Sequence, residues 1–268
     1  MVNILSSEGA EAAQTFTFEA LAPKQTFPSL EPTESKDNLQ RWNLAPFMQA
    51  QGFRFDQAFA PEQTDAFLLD FFSSAVVQDA APVCTGKGGH WGALGVVTGP
   101  GLKYERLATT VLRLDFFDRL KEAGIVRAGD IMKCLDEPCG EILVSDRLRK
   151  LLLDETSEEW ELFSTAERKE LIFHVMCRLA IGGGMNQYSD EIEPYLNLTR
   201  LLYKDLVAVQ KTSAGALQVR SLTFAVHGVD GSSASLFPRP SPHNFCYVSI
   251  DPVARHVKIW YAAWFPMM

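Results

Sequence analysis

Residues Phe245–Tyr261, FCYVSIDPVARHVKIWY, read as two short strands joined by a tight connection. Asp251 and Pro252 suit the first two positions of a type I turn, because proline presets the backbone angle that the turn needs. Beyond the turn, Val257, Ile259 and Tyr261 fall on one face of an extended chain and His256 and Lys258 on the other. A hairpin of this kind needs further strands to bury its apolar face. Working outward from it, Leu201–Val209 and Leu217–Val226 have strand composition. At the other end of the chain, Thr15–Leu21 alternates Phe16 and Phe18 with polar neighbours, and Gly52–Phe59 carries Phe53, Phe55 and Phe59. Leu107–Leu114 is β-branched and apolar enough for one more strand.

Between these ends the signals are helical. Ser35 or Asp37 can cap a helix carrying Leu39 and Trp42 that stops before Pro46, and Glu62–Phe72 sets Phe67, Leu68 and Phe71 at helical spacing. Asp115–Glu122 reads as a short helix ended by Gly124. Ser145 is placed to cap a helix over Ser145–Leu153 that carries Leu148, Leu151 and Leu152. Ser164-Thr165-Ala166-Glu167 has the form of a capping box, in which the serine oxygen and the glutamate carboxylate satisfy each other's backbone N–H. The helix it opens shows Leu171, Val175 and Leu179 at four-residue spacing, and Gly182-Gly183-Gly184 stops it. Strands at both ends around a helical middle predict an α+β fold. The expectation is a single domain over residues 15–268, its mostly antiparallel sheet built from N- and C-terminal strands. Residues 1–14 read as a disordered end. The glycine-rich stretch at about 78–102 reads as a surface loop or insertion holding at most a strand at Trp91–Val97.

Composition narrows the function classes. The 268 residues are 47% hydrophobic and 22% charged, ordinary values for a globular chain, with a net charge of −8. That charge, with no run of Lys and Arg to offset it, argues against nucleic acid as a partner. No stretch approaches the ~20 apolar residues that a membrane-spanning helix requires. The amino terminus lacks the basic and apolar regions of a signal peptide, and Cys84, Cys134, Cys139, Cys177 and Cys246 are odd in number and scattered. Reduced thiols in the cytoplasm are the expectation.

Candidate chemistry is sparse. Thr85-Gly86-Lys87-Gly88-Gly89 lacks the spacing and the strand-to-helix context of a phosphate loop. Cys134 and Cys139 have four residues between them and no second pair, whereas structural zinc needs four close ligands. An iron site of the 2-oxoglutarate oxygenase type would need a His-x-Asp/Glu pair. Tyr188 occupies the position where the first histidine should stand before Asp190, and His227-Gly228-Val229-Asp230 has one residue too many. An inactive or divergent relative of that fold, binding a ligand or a protein, is the alternative reading, with His227, His243 and His256 the histidines that could bear on it. His174, beside Phe173 and Val175, reads as a packed histidine. No G-x-S-x-G elbow is present. No catalytic, cofactor-binding or metal-binding residue is therefore assigned, and a non-enzymatic role is expected. The stretch LLLDETSEEWELF (151–163) interleaves Trp160 and Phe163 with five carboxylates, which reads either as a solvated linker with two core anchors or as a docking segment for a basic groove.

Several segments together resemble one family. Lys24-Gln25-Thr26-Phe27, Leu39–Trp42 and Phe53-Arg54-Phe55-Asp56-Gln57 come first. Ile125-Val126-Arg127, Lys133-Cys134-Leu135-Asp136 and Ile142-Leu143-Val144-Ser145-Asp146 follow. Then come Gln187-Tyr188-Ser189-Asp190, Pro194-Tyr195-Leu196, Tyr203-Lys204-Asp205-Leu206-Val207, Asp251-Pro252 and Arg255-His256. In this order and spacing, over residues 24–262, the chain resembles the cilia- and flagella-associated protein 300 family; it departs from that pattern at residues 1–20, 78–102 and after Trp260. The resemblance implies a factor for assembling or transporting outer and inner axonemal dynein arms, present in cytoplasm and cilium. The implied partners are cytoplasmic dynein assembly factors of the kintoun type, dynein arm components and the intraflagellar transport machinery. No cofactor is implied.

Overall fold

The computed structural model describes residues 15–84, 91–92, 101–213, 215–230, 236–237 and 239–264. In chain order the elements used below are β1 (Phe18–Ala20), α1 (Thr33–Arg41), β2 (Met48–Phe55), α2 (Thr64–Ser73), β3 (Gly101–Leu107), α3 (Arg147–Leu153), α4 (Leu171–Ile181), α5 (Glu193–Leu206), β4 (Leu222–Asp230), β5 (Phe245–Asp251) and β6 (His256–Ala262). The six strands form one antiparallel sheet in the order β1-β2-β6-β5-β4-β3. N- and C-terminal strands thus interleave, because β6 pairs with β2 across most of the chain's length, Val257 opposite Phe53.

The hairpin that the sequence announces is present. Asp251 pairs with His256, and the Asp251 carboxylate accepts from the N–H groups of Val253 and Ala254 at 3.1 Å each, with Arg255 in the left-handed region closing the loop. Alternation along the strands then sorts side chains to two faces. Phe53, Phe55, Phe224, Val248, Ile250, Val257, Ile259 and Tyr261 face α2 and meet Phe16, Phe18, Phe67, Leu68, Phe71 and Phe72. Phe245, Tyr247, Trp260 and Ala262 face the opposite way, onto α3, α4 and α5. The molecule is a three-layered α+β single domain, the sheet buried on both sides.

Some local expectations fail. Leu201–Val209 is not a strand: α5 continues to Leu206, with Tyr195, Leu198, Leu202 and Leu206 on its buried face. Leu107 is the last residue of β3. Beyond it the chain bends, because the Glu170 carboxylate accepts from the N–H groups of Thr110 and Val111 and from the Thr110 hydroxyl, before a 3-10 turn at Leu114–Phe117. The middle is not all helical either: Lys133–Cys139 and Ile142–Asp146 form a hairpin closed at Gly140. The cap of α3 is Asp146, whose carboxylate accepts from Arg149 N–H at 2.9 Å, one residue after the expected Ser145. The disordered end expected at 1–14, the Thr85–Gly89 segment and most of the Trp91–Val97 strand lie outside the described residues. Trp91–Gly92 pairs with Val83–Cys84.

Candidate functional site

Two parts of the structure gather the distinctive residues. The first is a buried polar knot. Arg149 and Asp146 are each only 1% exposed and form an ion pair within the first turn of α3. The rest of the guanidinium is spoken for: Nε donates to the Ala180 carbonyl at 2.9 Å and Nη2 to the Tyr195 hydroxyl at 2.7 Å, while the Tyr188 ring covers its face at 3.4 Å. The Tyr195 hydroxyl also accepts from Ser189 N–H at 2.9 Å, and its ring stacks on Trp42 at 4.3 Å. Trp42 Nε1 in turn donates to Ser189 Oγ at 3.1 Å. A buried charge is tolerable only when paired and hydrogen-bonded on every side, and this one is. The knot therefore ties α1, α3, α5 and the 182–190 loop to one another.

The three glycines do more than stop α4. Gly182 adopts a positive φ of 65°, and a Cβ on Gly183 would fall 2.2 Å from the Asn43 carbonyl oxygen. The 182–190 loop is thus pressed against the end of α1, where Gly183 N–H donates to the Trp42 carbonyl at 2.9 Å. Tyr188, which stands where an oxygenase would carry a metal-binding histidine, serves here as the lid on Arg149. His227 lies 3.5 Å from Glu105 on the surface, His243 Nδ1 is 2.8 Å from the Gly182 carbonyl oxygen, and His256 sits at the start of β6. The three histidines share no site, and the sheet is one open layer instead of two facing ones, so the oxygenase-like alternative loses its geometric basis. Among the described residues no three His, Cys, Asp or Glu side chains come together to hold a metal ion.

The second part is the 133–161 surface. Hairpin 133–146, α3 and the 3-10 turn Glu158–Leu162 pack as one unit, joined by Lys150–Glu137 and Arg147–Glu159 ion pairs, both 2.9 Å. The hairpin buries Ile142 and Val144 against Ile181, with Cys134, Cys139 and Cys177 alongside. Burial, followed by the nearby carboxylates of Asp154 and Glu155, pushes the Cys139 thiol up, so it stays protonated. The outer face carries Leu135 at 85% exposure and Leu143 at 58%, the latter opposite Pro138. Residues 133–161 bear nine carboxylates and four cations, an excess of five negative charges in a chain whose net charge is −8. Of the two anchors in the acidic stretch, Phe163 is buried in the core, and Trp160 is half-buried with the Arg168 guanidinium 3.4 Å above its ring. Both are spent on the fold, as the linker reading expects, while Leu135 and Leu143 stay at the surface. A shallow groove of about 330 Å³, lined by Glu137, Pro138, Lys150, Asp154 and Thr156, runs beside them.

The model of the family described as cilia- and flagella-associated protein 300 matches residues 15–262. The chain belongs to that family. A cilia- and flagella-associated protein 300 from Chlamydomonas reinhardtii is 39% identical over 239 residues, covering 86% of this chain and 91% of the algal protein. One from Paramecium tetraurelia is 32% identical over 231 residues, covering 84% and 87%. No solved structure matches. Membership in the cilia- and flagella-associated protein 300 family associates the chain with cilia and flagella. It also gives the signature segments a physical meaning: Asp146, Tyr188, Ser189 and Tyr195 build the knot, while Leu135 and Leu143 project from the acidic hairpin.

Proposed function

We propose that the protein is a non-enzymatic factor in assembling outer and inner axonemal dynein arms, or in carrying them into the cilium, moving between cytoplasm and axoneme. The observation that carries the reading is the 133–161 surface. Two exposed leucines on a surface with more carboxylates than cations fit a basic partner segment with interspersed apolar side chains. Strand addition along Lys133–Cys139 is disfavoured, since Pro138 offers no N–H and residues 134–136 bulge, so docking uses the face of the hairpin. We take the occupant to be a basic segment of a cytoplasmic dynein assembly factor of the kintoun type, with dynein arm components and the intraflagellar transport machinery joined to the same complex.

The test is capture from ciliated-cell extract with the full chain, identifying proteins by mass spectrometry, beside a Leu135→Asp/Leu143→Asp variant. The expected result is recovery of dynein arm chains or their assembly factors, weakened by added salt and lost in the variant at unchanged melting temperature. Wild-type chain that recovers none of these proteins would sink the function. Equal recovery by the variant would leave the function standing and overturn the docking face.

A further inference from the structure

A cavity of about 270 Å³ lies between α4 and the sheet and has no place in the proposed docking face. His174 and Arg178, one turn apart on α4, form one wall; Ala225, His227 and Tyr247 of β4 and β5 form another, and Ser241 with Asn244 closes the end. Its size is at the small end for ligand cavities, and it combines apolar walls with a few convergent polar groups.

Arg178 is the unexplained member. Its Nε donates to the Tyr247 hydroxyl at 3.0 Å and its Nη1 to the Pro242 carbonyl at 3.0 Å, which fix the guanidinium in place. Among the described residues Nη2 has no hydrogen-bond acceptor, and no carboxylate pairs with the charge. Four other buried or half-buried arginines have their charges answered by carboxylates: Arg149 by Asp146, Arg147 by Glu159, Arg220 by Asp251 and Arg119 by Glu167. Arg168, which also has no carboxylate partner among the described residues, instead donates to three backbone carbonyls and lies against the Trp160 ring.

A rigidly held, half-buried guanidinium with a free donor edge facing a cavity is the arrangement that recognises an oxyanion. The Tyr247 hydroxyl and the His174 ring, 3.1 Å apart, extend the polar side of the cavity, and the apolar walls suit a small organic body. We infer that this cavity is a binding site for a small organic oxyanion, a carboxylate or a phosphate monoester, whose charged head pairs with Arg178.

The experiment uses the full chain and three probes: inorganic phosphate, phenyl phosphate and benzoate. Isothermal calorimetry should find saturable binding of at least one, and Arg178→Met should weaken it roughly tenfold or more, the loss of one charge-assisted contact. The substitution can also disturb α4, so the wild-type chain supplies a second readout. In phenylglyoxal labelling followed by peptide mapping, the bound probe should slow modification of Arg178 and leave Arg113, whose side chain is 81% exposed, unaffected. Binding of phenyl phosphate or benzoate would support an organic ligand; binding of inorganic phosphate alone would overturn the organic assignment and leave a free inorganic anion. An Arg178 that is unreactive toward phenylglyoxal, or labelled at the same rate with and without every probe, overturns the inference.

Discussion

The Arg149 guanidinium sits 3.4 Å from the centre of the Tyr188 ring, and the same group holds the Asp146 carboxylate and the Tyr195 hydroxyl. Removing the cation leaves a fully buried aspartate with only the backbone N–H of residue 149 and no counter-charge, which costs far more than the pair itself contributes. Arg149→Met should therefore destabilise the fold by about 3–5 kcal/mol in urea titrations. Lysine should not rescue it, because an ammonium cannot reach Asp146, Ala180 and Tyr195 at once or stack beneath Tyr188. A stability within about 0.5 kcal/mol of wild type for Arg149→Met would show that the knot is dispensable.

Gly183→Ala is the smallest change that should unseat the 182–190 loop. Its methyl group would meet the Asn43 carbonyl, a backbone atom that cannot turn aside. Gly140→Ala is the control: at φ +60° it meets strain but nothing within 4 Å, so a penalty of about 1 kcal/mol is expected. Hydrogen exchange should find amides 183–189 exposed in the first variant and unchanged in the second.

Local chemistry was the legible part of the fold. The Ser164 capping box is present, Ser164 N–H donating to Glu167 at 2.8 Å, and so is the Asp251-Pro252 hairpin, because each is settled by residues a few positions apart; the box, however, opens only the single turn Thr165–Arg168, and the helix carrying Leu171, Val175 and Leu179 starts anew after Glu170. Leu201–Val209 misled because its apolar density was read without the upstream register: Tyr195 and Leu198 continue the same stripe, and the helix starts at Glu193. Gly140 and Pro138 marked the 133–146 hairpin in the sequence, but helical signals on either side hid it. The Arg149 knot was beyond local reading. On a helix an arginine looks like a solvated charge, and only tertiary closure brings Trp42 and Tyr195 to it. The cavity beside Arg178 was equally hidden, although His174 and Arg178 at one-turn spacing on an otherwise apolar helix were the available hint.

The two apolar classes on this molecule should separate cleanly. Phe67 packs edge-on against Phe16, Phe18, Phe55 and Phe59, with ring centroids 4.8–5.4 Å away, and is wholly buried. Phe67→Ala should cost about 3–5 kcal/mol. Leu135→Ser, at a side chain 85% exposed, should shift stability by less than about 0.5 kcal/mol. Thermal melts of both variants check this, and a large loss for Leu135→Ser would mean that the hairpin leucine serves the fold instead of a partner.

Acid sensitivity should trace in part to His174. Burial, with the Arg178 charge and His227 beside it, drops its pKa from 6.5 to about 3, against a smaller opposing contribution from a hydrogen bond to the Arg168 backbone. The geometry agrees: Arg178 Nε–H donates to the Tyr247 oxygen, so the tyrosine's own proton is directed at His174 Nδ1, which accepts as a neutral ring. At pH 7 the ring is neutral in both folded and unfolded chains. As pH falls below about 6.5 the unfolded chain takes up the proton and the folded one does not, so stability drops, by at most about 1.4 kcal/mol per pH unit for this group. His174→Asn keeps an acceptor for Tyr247 and cannot titrate. Its stability at pH 7 should be lower than wild type, yet the slope between pH 6.5 and 5 should be shallower. Parallel slopes for the two chains, measured by urea denaturation across that range, would mean that His174 opens to solvent and titrates alike in both states.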